Sequence, residues 1–229
     1  MGKDIKQPRK STGDYIHTLI KATAGSIPIV GNFASELFLN LVISPYEKRQ
    51  EQWISEVTSM LTDLNMKHSF NTDSLHHNHE FLDAVISTTK SALATRSLEK
   101  RKQLLIALQN IALGTNNDEI TNKIFLNLLD KFDDAHMHII TILNTPNIFR
   151  EPRGEFAVKE SYRKLIIKKL PNAEREAIDI LTKELLDNKL ITMDLPAGLD
   201  SVPDIGQEGR SFLTPFGQKF LLFITNSQK

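Results

Sequence analysis

The sequence contains no cysteine. Disulfide bridges, thiolate zinc sites and thiol nucleophiles are therefore excluded. Neither a glycine-rich phosphate loop nor a G-x-S-x-G nucleophile motif occurs among its 10 glycines, and these motifs are the usual signatures of nucleotide binding and of serine hydrolases. We therefore predict a protein without catalytic residues, without a cofactor and without an identified small-molecule substrate.

The chain also lacks an excess of charge of either sign. Its 229 residues carry 28 basic and 28 acidic side chains, which removes the long-range attraction on which non-specific nucleic-acid binding depends. Residues 1–13 are basic and polar with no apolar core behind them, so we predict a flexible tail and not a secretory signal. A cysteine-free chain fits a reducing compartment. We expect a cytoplasmic protein, with membrane association as an alternative.

No apolar run reaches the length of a membrane-spanning helix, although the stretch 26–47 comes close. Pro28, Gly31 and Glu36 interrupt it, and a carboxylate near mid-membrane costs about 2.5–3.5 kcal/mol. Its apolar residues recur at helical spacing, which predicts a buried amphipathic hairpin. The second interpretation is a stored segment, 27–43, that is released to a membrane surface or to a protein partner. The contacting side chains would be Ile27, Ile29, Phe33, Leu37, Phe38 and Leu41.

A strong helix start follows this stretch. Ser44 is in the N-cap position, Pro45 in the first helical position, and Glu47 three residues on completes a capping box. The only tryptophan, Trp53, lies on the apolar face of this helix. A large ring at such a position is typical of core packing, so we predict that Trp53 is buried.

Apolar residues three and four positions apart predict helices throughout the first part of the chain. The predicted segments are 14–23, 44–64, 75–95, 98–113 with Gly114 as the C-cap glycine, and 116–132. No alternation of period two, which would indicate strands, interrupts them. The first part is therefore predicted to be a helical bundle over 14–132 that contains the apolar hairpin.

The pattern changes from residue 133 onward. A helix is followed by two further helical segments, 156–169 and 172–188, and then by an apolar strand-like segment at 190–193. A loop rich in proline and glycine leads to a return strand at 211–214 and a final helix. This is the order of a winged helix. The predicted fold is thus mainly α, with an N-terminal helical bundle and a C-terminal winged-helix-like module over 133–229.

The charge of the second helix of the turn discriminates between winged helices that bind DNA and those that bind proteins. Segment 172–188 carries five acidic and two basic residues, so phosphate groups would repel it. The preceding helix is basic, and the alternative is therefore a displaced nucleic-acid contact. Its residues would be Lys159, Arg163, Lys164 and Lys168.

Histidines form the one cluster that resembles a metal site. His76, His77 and His79 are adjacent and irregularly spaced, and they match no zinc motif. His136 and His138 are two positions apart on a predicted helix, so they face nearly opposite directions. We interpret the cluster as a solvated polar cap and predict no metal site.

Several segments together carry a resemblance to known proteins. They include GSIPIVGNFASELFLNLVISPYEKRQEQWI, KRKQLLIALQNIAL, NKIFLNLLDKFDDAHMHIITIL and LTPFGQKFLLFI. In this order the chain resembles a group of uncharacterised bacterial proteins of similar size and, more loosely, the Abi-alpha family, named for an inferred part in abortive infection. The resemblance implies a helical bacterial protein in phage defence and supplies no active-site residues.

The function predicted from these observations is that of a non-enzymatic interaction protein with a protein partner or a homo-oligomeric state. In this prediction it serves as an anti-phage effector or regulator, and segment 27–43 meets the membrane or partner. The alternative is a winged-helix transcriptional regulator that binds DNA.

Overall fold

A computed structural model describes most of the chain. The described residues are 12–25, 44–68, 72–114, 117–144, 161–192, 198–200 and 211–225. Of the described residues, 83% are helical, which confirms the predicted mainly α fold. Within these ranges the α-helices are α1 (Thr12–Gly25), α2 (Ser44–His68), α3 (His79–Ala94), α4 (Leu98–Ala112), α5 (Glu119–Lys131), α6 (Asp134–Asn144), α7 (Tyr162–Lys169), α8 (Arg175–Asp187) and α9 (Pro215–Thr225). Thr72–His77 and Gly198–Asp200 form short 3-10 helices.

Local sequence signals fix where several helices begin and end. Asn78 Oδ1 accepts a hydrogen bond from the Phe81 amide at 3.0 Å and starts α3, and Ser97 Oγ does the same for the Lys100 amide at 3.0 Å in α4. After α4, Gly114 has a φ of 64°, the left-handed conformation that commonly terminates helices. The predicted end of this helix at Gly114 is therefore confirmed.

The chain divides into two compact units. One comprises Met1–Asp130 with Ile224–Lys229, and the other comprises Lys131–Phe223. The sequence pattern predicts a domain boundary between residues 132 and 133. Among the described residues, no helix is both long enough and apolar enough to cross a membrane.

The first unit is organised around α3, which packs against α1, α2 and α4. Trp53 of α2 is fully buried, as predicted. Its indole Nε1 donates a hydrogen bond of 3.0 Å to Thr89 Oγ1 on α3, and Thr89 is itself fully buried. The polar edge of the ring is thus satisfied inside the core, which allows a tryptophan to be buried without an unpaired donor.

The second unit is organised around α6, which packs against α7 and α8. Its apolar core includes an edge-to-face pair between the rings of Tyr162 and Phe212, with centroids 5.1 Å apart. The Phe212 amide donates a hydrogen bond of 2.9 Å to the carbonyl of Leu143 near the end of α6. This bond holds the segment before α9 against α6.

The two segments predicted as strands meet in the structure, but they do not form strands. Ile191 and Leu213 make one isolated antiparallel bridge. Both residues are buried, as are their neighbours Leu190 and Phe212, so the apolar pattern around the bridge reflects burial. The part of the second unit that the structure describes contains no strand, and the finer prediction of a winged helix is not shown.

The backbone groups beside this bridge are shared between the bridge and the ends of the neighbouring helices. The Leu190 amide donates to the Leu185 carbonyl at 3.0 Å and closes the C-terminus of α8. The Leu190 carbonyl accepts from the Thr214 amide at 3.0 Å just before α9 begins. Among the described residues the pairing is limited to this one bridge, since α8 ends and α9 begins within a few residues of it.

Candidate interaction surface

The predicted apolar contact site lies outside the described residues. This applies to all six of its side chains, which are Ile27, Ile29, Phe33, Leu37, Phe38 and Leu41. Lys159, the first residue of the predicted nucleic-acid contact, also lies outside them. The structure places the other three basic residues of that contact on α7.

Arg163 is buried, with 9% of its side chain exposed. Its guanidinium donates from Nε to Asp200 Oδ1 at 2.8 Å and from Nη2 to Asp179 Oδ1 at 2.8 Å. Arg175 Nη2 lies 2.5 Å from the other oxygen of Asp200. Two guanidinium groups and two carboxylates thus neutralise one another, and they tie the Gly198–Asp200 turn to α7 and α8. Arg163 is therefore committed to intramolecular carboxylates.

This network shifts the ionisation of its members. The hydrogen bond from Arg163 holds the pKa of Asp200 below its ordinary value, and the charges of Arg163 and Arg175 add to this effect. Burial works against the charge on Arg163, but hydrogen bonds from its guanidinium to Asp200 and Asp179 outweigh burial and raise its pKa. Arg163 and Asp200 are therefore both favoured in their charged forms.

The other two residues of the predicted contact lie on the outer face of α7. Lys164 and Lys168 are exposed, and Ile167 between them is 39% exposed. Positions three and four apart share one face of a helix. Residues 162–169 include four basic residues and no acidic residue, so this face, called the basic face below, combines positive charge with an exposed isoleucine.

The outer face of α8 has the opposite charge. Glu176 is exposed, and Ile180 one turn later is 61% exposed. Further along, Lys183 Nζ lies 2.6 Å from Asp187 Oδ2, so that pair is already neutralised within the helix. We call the surface around Glu176 and Ile180 the acidic face. The sequence pattern did not single out Ile167 and Ile180, the exposed apolar residues of the two faces. Ile180 lies two positions from the buried Ile178, and helix residues two apart face nearly opposite directions, so its exposure could have been predicted.

A second polar cluster joins α6 to α8. His136 is 4% exposed, and its ring stacks on Phe132 with centroids 4.6 Å apart. Its Nδ1 lies 2.8 Å from Asp133 Oδ1, and its Nε2 lies 3.0 Å from Glu184 Oε2. His138 is exposed, which confirms the prediction that the two histidines face different ways. The two ring nitrogens of His136 thus serve to fix the start of α6 against α8.

Asp133 caps the N-terminus of α6. Its Oδ1 accepts from the amides of Ala135 at 3.0 Å and His136 at 3.1 Å. Burial alone would raise the pKa of this carboxyl, but the hydrogen bonds from the His136 ring and from these amides outweigh it and lower the pKa. Asp133 is therefore favoured as a carboxylate, the state in which it caps the helix.

The described histidines, aspartates and glutamates do not gather into a metal site. Among the residues that the structure describes, no group of three or more such side chains is arranged to hold a metal ion. Two members of the predicted polar cap, His77 and His79, are exposed at the start of α3. Nothing in this arrangement provides a nucleophile beside a base or a set of metal ligands.

Comparison with known proteins gives no family. The sequence matches no family model, and neither a curated protein nor a solved structure shows significant similarity to it. The resemblance to Abi-alpha proteins therefore stays a prediction.

Proposed function

We propose that this chain is a non-enzymatic bacterial interaction protein whose second unit is a winged helix used for protein contact. The observation that carries the proposal is the acidic face of α8. In a winged helix, α8 occupies the position of the helix that enters the DNA major groove. A helix that presents Glu176 and Ile180 there is repelled by phosphate but suited to a protein surface.

Backbone hydrogen bonds support the winged-helix part of the proposal. The segment 211–214 is bonded on one side to the carbonyl of Leu143, near the end of α6, the first helix of the unit. On its other side the Thr192 amide donates to the Phe212 carbonyl at 2.8 Å, and the Thr214 amide donates to the Leu190 carbonyl. Segment 211–214 thus lies between the end of the first helix and the segment that follows the third helix. A winged helix has its return segment in this central position.

A second candidate function is DNA binding through the basic face of α7. The observation in its favour is that Lys164 and Lys168 are exposed on a helix without acidic residues. Arg163 does not add to this face, since its guanidinium already bonds to Asp179 and Asp200. In this alternative the chain is a transcriptional regulator that contacts the DNA backbone beside α8.

The remaining part of the proposal concerns segment 27–43. We propose that this apolar segment meets a membrane or a protein partner and that the chain serves as an effector or regulator of abortive infection. The support is the composition of the segment and the resemblance to the Abi-alpha family. Co-sedimentation with anionic liposomes, for the wild type and for Phe38→Asp, tests the membrane contact. If neither protein sediments with lipid, the contact is with protein or the segment is core.

Fluorescence anisotropy with a labelled duplex DNA separates the protein-binding and DNA-binding proposals. For a protein-interaction module we expect no binding beyond the weak non-specific level, because the net charge is zero. Binding that weakens steeply with added salt and is lost in Lys164→Glu would instead favour the DNA alternative. Lys102→Glu is the matched control, since Lys102 is an exposed lysine on α4 of the first unit.

A further inference from the structure

We infer that the partner of this surface is a second copy of the chain, with the basic face of one protomer packed on the acidic face of the other. The inference rests on the proposed function, in which α8 contacts protein. It adds the identity of the partner and the pairing of the two helices.

The two faces are complementary in charge and in kind. The basic face presents Lys164 and the partly exposed Ile167, and the acidic face presents Glu176 and Ile180, which is 61% exposed. Each face places a charged residue three or four positions from an exposed isoleucine, and the basic face carries a second exposed lysine, Lys168. Pairing them would place an ammonium against a carboxylate and cover two isoleucines that water now reaches.

Twofold symmetry uses both faces at once. In a twofold dimer the same patch is used by both subunits, so a contact from residue i to residue j is repeated from j to i. In the proposed dimer, Lys164 of each protomer opposes Glu176 of the other. The dimer therefore contains the charge contact and the isoleucine contact twice.

Charge reversal gives an expected effect on dimerisation. Each exposed pair is weak by itself, but a single substitution changes both symmetric contacts from attraction to repulsion. We expect Lys164→Glu and Glu176→Lys each to raise the dimer dissociation constant at least about tenfold. Added salt should weaken the wild-type dimer because the pairs are exposed.

Mixing the two variants is the decisive experiment. Sedimentation velocity over a concentration series is measured for the full-length wild type, for each variant and for an equimolar mixture. In the mixture, Lys164 of one variant opposes Glu176 of the other, and the two introduced residues also oppose each other with opposite charge. We expect wild-type dimerisation, loss of dimer in each variant alone, and its return in the mixture.

Control variants separate this contact from a general effect of charge or polarity. Lys102→Glu is a charge reversal on the first unit and should leave the dimer unchanged. Ile180→Asp should abolish dimerisation, whereas Ile120→Asp, at an exposed isoleucine of α5 that is 73% exposed, should not. Circular dichroism checks that each variant is folded.

Three results would overturn the inference: a monomeric wild type at every concentration, a dimer insensitive to both charge reversals, or a mixture that stays monomeric. Fluorescence anisotropy with labelled duplex DNA distinguishes failure of the self-association from failure of the proposed protein-interaction function. A monomer that binds no DNA overturns only the self-association, whereas salt-dependent DNA binding lost in Lys164→Glu overturns the protein-interaction function as well.

Discussion

Removing the carboxylate of Glu56 should destabilise the first unit more than replacing its buried partner, Arg101. The Arg101 side chain is 5% exposed, whereas the Glu56 side chain is 40% exposed. Arg101 donates from Nη2 to Glu56 Oε1 at 2.7 Å and from Nη1 to Gln52 Oε1 at 3.0 Å. Its Nε is buried without a hydrogen-bond partner. The pair joins α2 to α4 but carries an unsatisfied donor.

The expected magnitudes follow from which charge stays buried. Breaking a buried pair by removing one partner costs about 3–5 kcal/mol. For Glu56→Ala we expect about 2 kcal/mol, because Gln52 still accepts one hydrogen bond from the stranded guanidinium. Arg101→Met removes the buried charge together with its unpaired Nε and keeps most of the volume. The Glu56 carboxylate that is left behind reaches water, so the cost should be about 0–1 kcal/mol.

Urea denaturation measured by tryptophan fluorescence tests this order. The only tryptophan, Trp53, lies on α2, the helix that carries Glu56, so its emission reports on the first unit. Glu51→Ala is the control, because Glu51 is an exposed glutamate on the same helix. Its substitution should change the unfolding free energy by less than about 0.5 kcal/mol.

The refuting result is the reverse order of the two variants. If Arg101→Met costs more than Glu56→Ala, the charge pair stabilises the fold by itself and the desolvation reasoning is wrong. Equal costs would also contradict it, since they would mean that the two residues lose the same interaction regardless of burial.

Two further predictions concern the second unit and one of the helix ends. A Cβ at Gly217 would overlap the Leu190 carbonyl oxygen, so Gly217→Ala should cost about 3 kcal/mol in thermal unfolding. Gly114→Ala meets no atom within 4 Å and should cost only about 1 kcal/mol of left-handed strain; equal losses would contradict this. The pKa values of Asp133 and Asp200 lie below the ordinary 3.8, so the unfolded state binds more protons. The stability that these carboxylates provide is therefore complete above the unfolded-state pKa. It is lost as the pH falls through the lower pKa values of the folded protein. Acid titration followed by circular dichroism should therefore show a smaller loss of folding stability for Asp133→Asn than for wild type. An equal loss in both proteins would refute the lowered pKa of Asp133.

Local patterns in the sequence predicted most of the helical architecture. The spacing of apolar residues located the helices, because the same period governs burial on any helix. Trp53 was predicted to be core and is buried, and Gly114 was predicted to end α4 and does. These features depend on residues a few positions apart, which a sequence displays directly.

The contacts that define the candidate surface depend on distant residues. Arg163 was predicted as an outward nucleic-acid contact, yet it is buried against Asp179 and Asp200. Its second partner lies 37 positions further along the chain. Arg101 is similar, with Glu56 45 positions away. A charged residue is assigned to the surface by default, and only the tertiary partner reveals that its charge is neutralised inside.

The two proposed functions of the second unit use the same side chain and therefore exclude each other on one molecule. In the dimer, Lys164 opposes a carboxylate of the second copy and is covered by it. In the DNA alternative, the same lysine contacts phosphate. Duplex DNA would then dissociate the dimer, because DNA phosphate and the second copy of the chain compete for the same lysine. If the dimer forms and DNA at low salt leaves its dissociation constant unchanged, the lysine is committed to the protein contact, and the acidic face of α8 accounts for that choice.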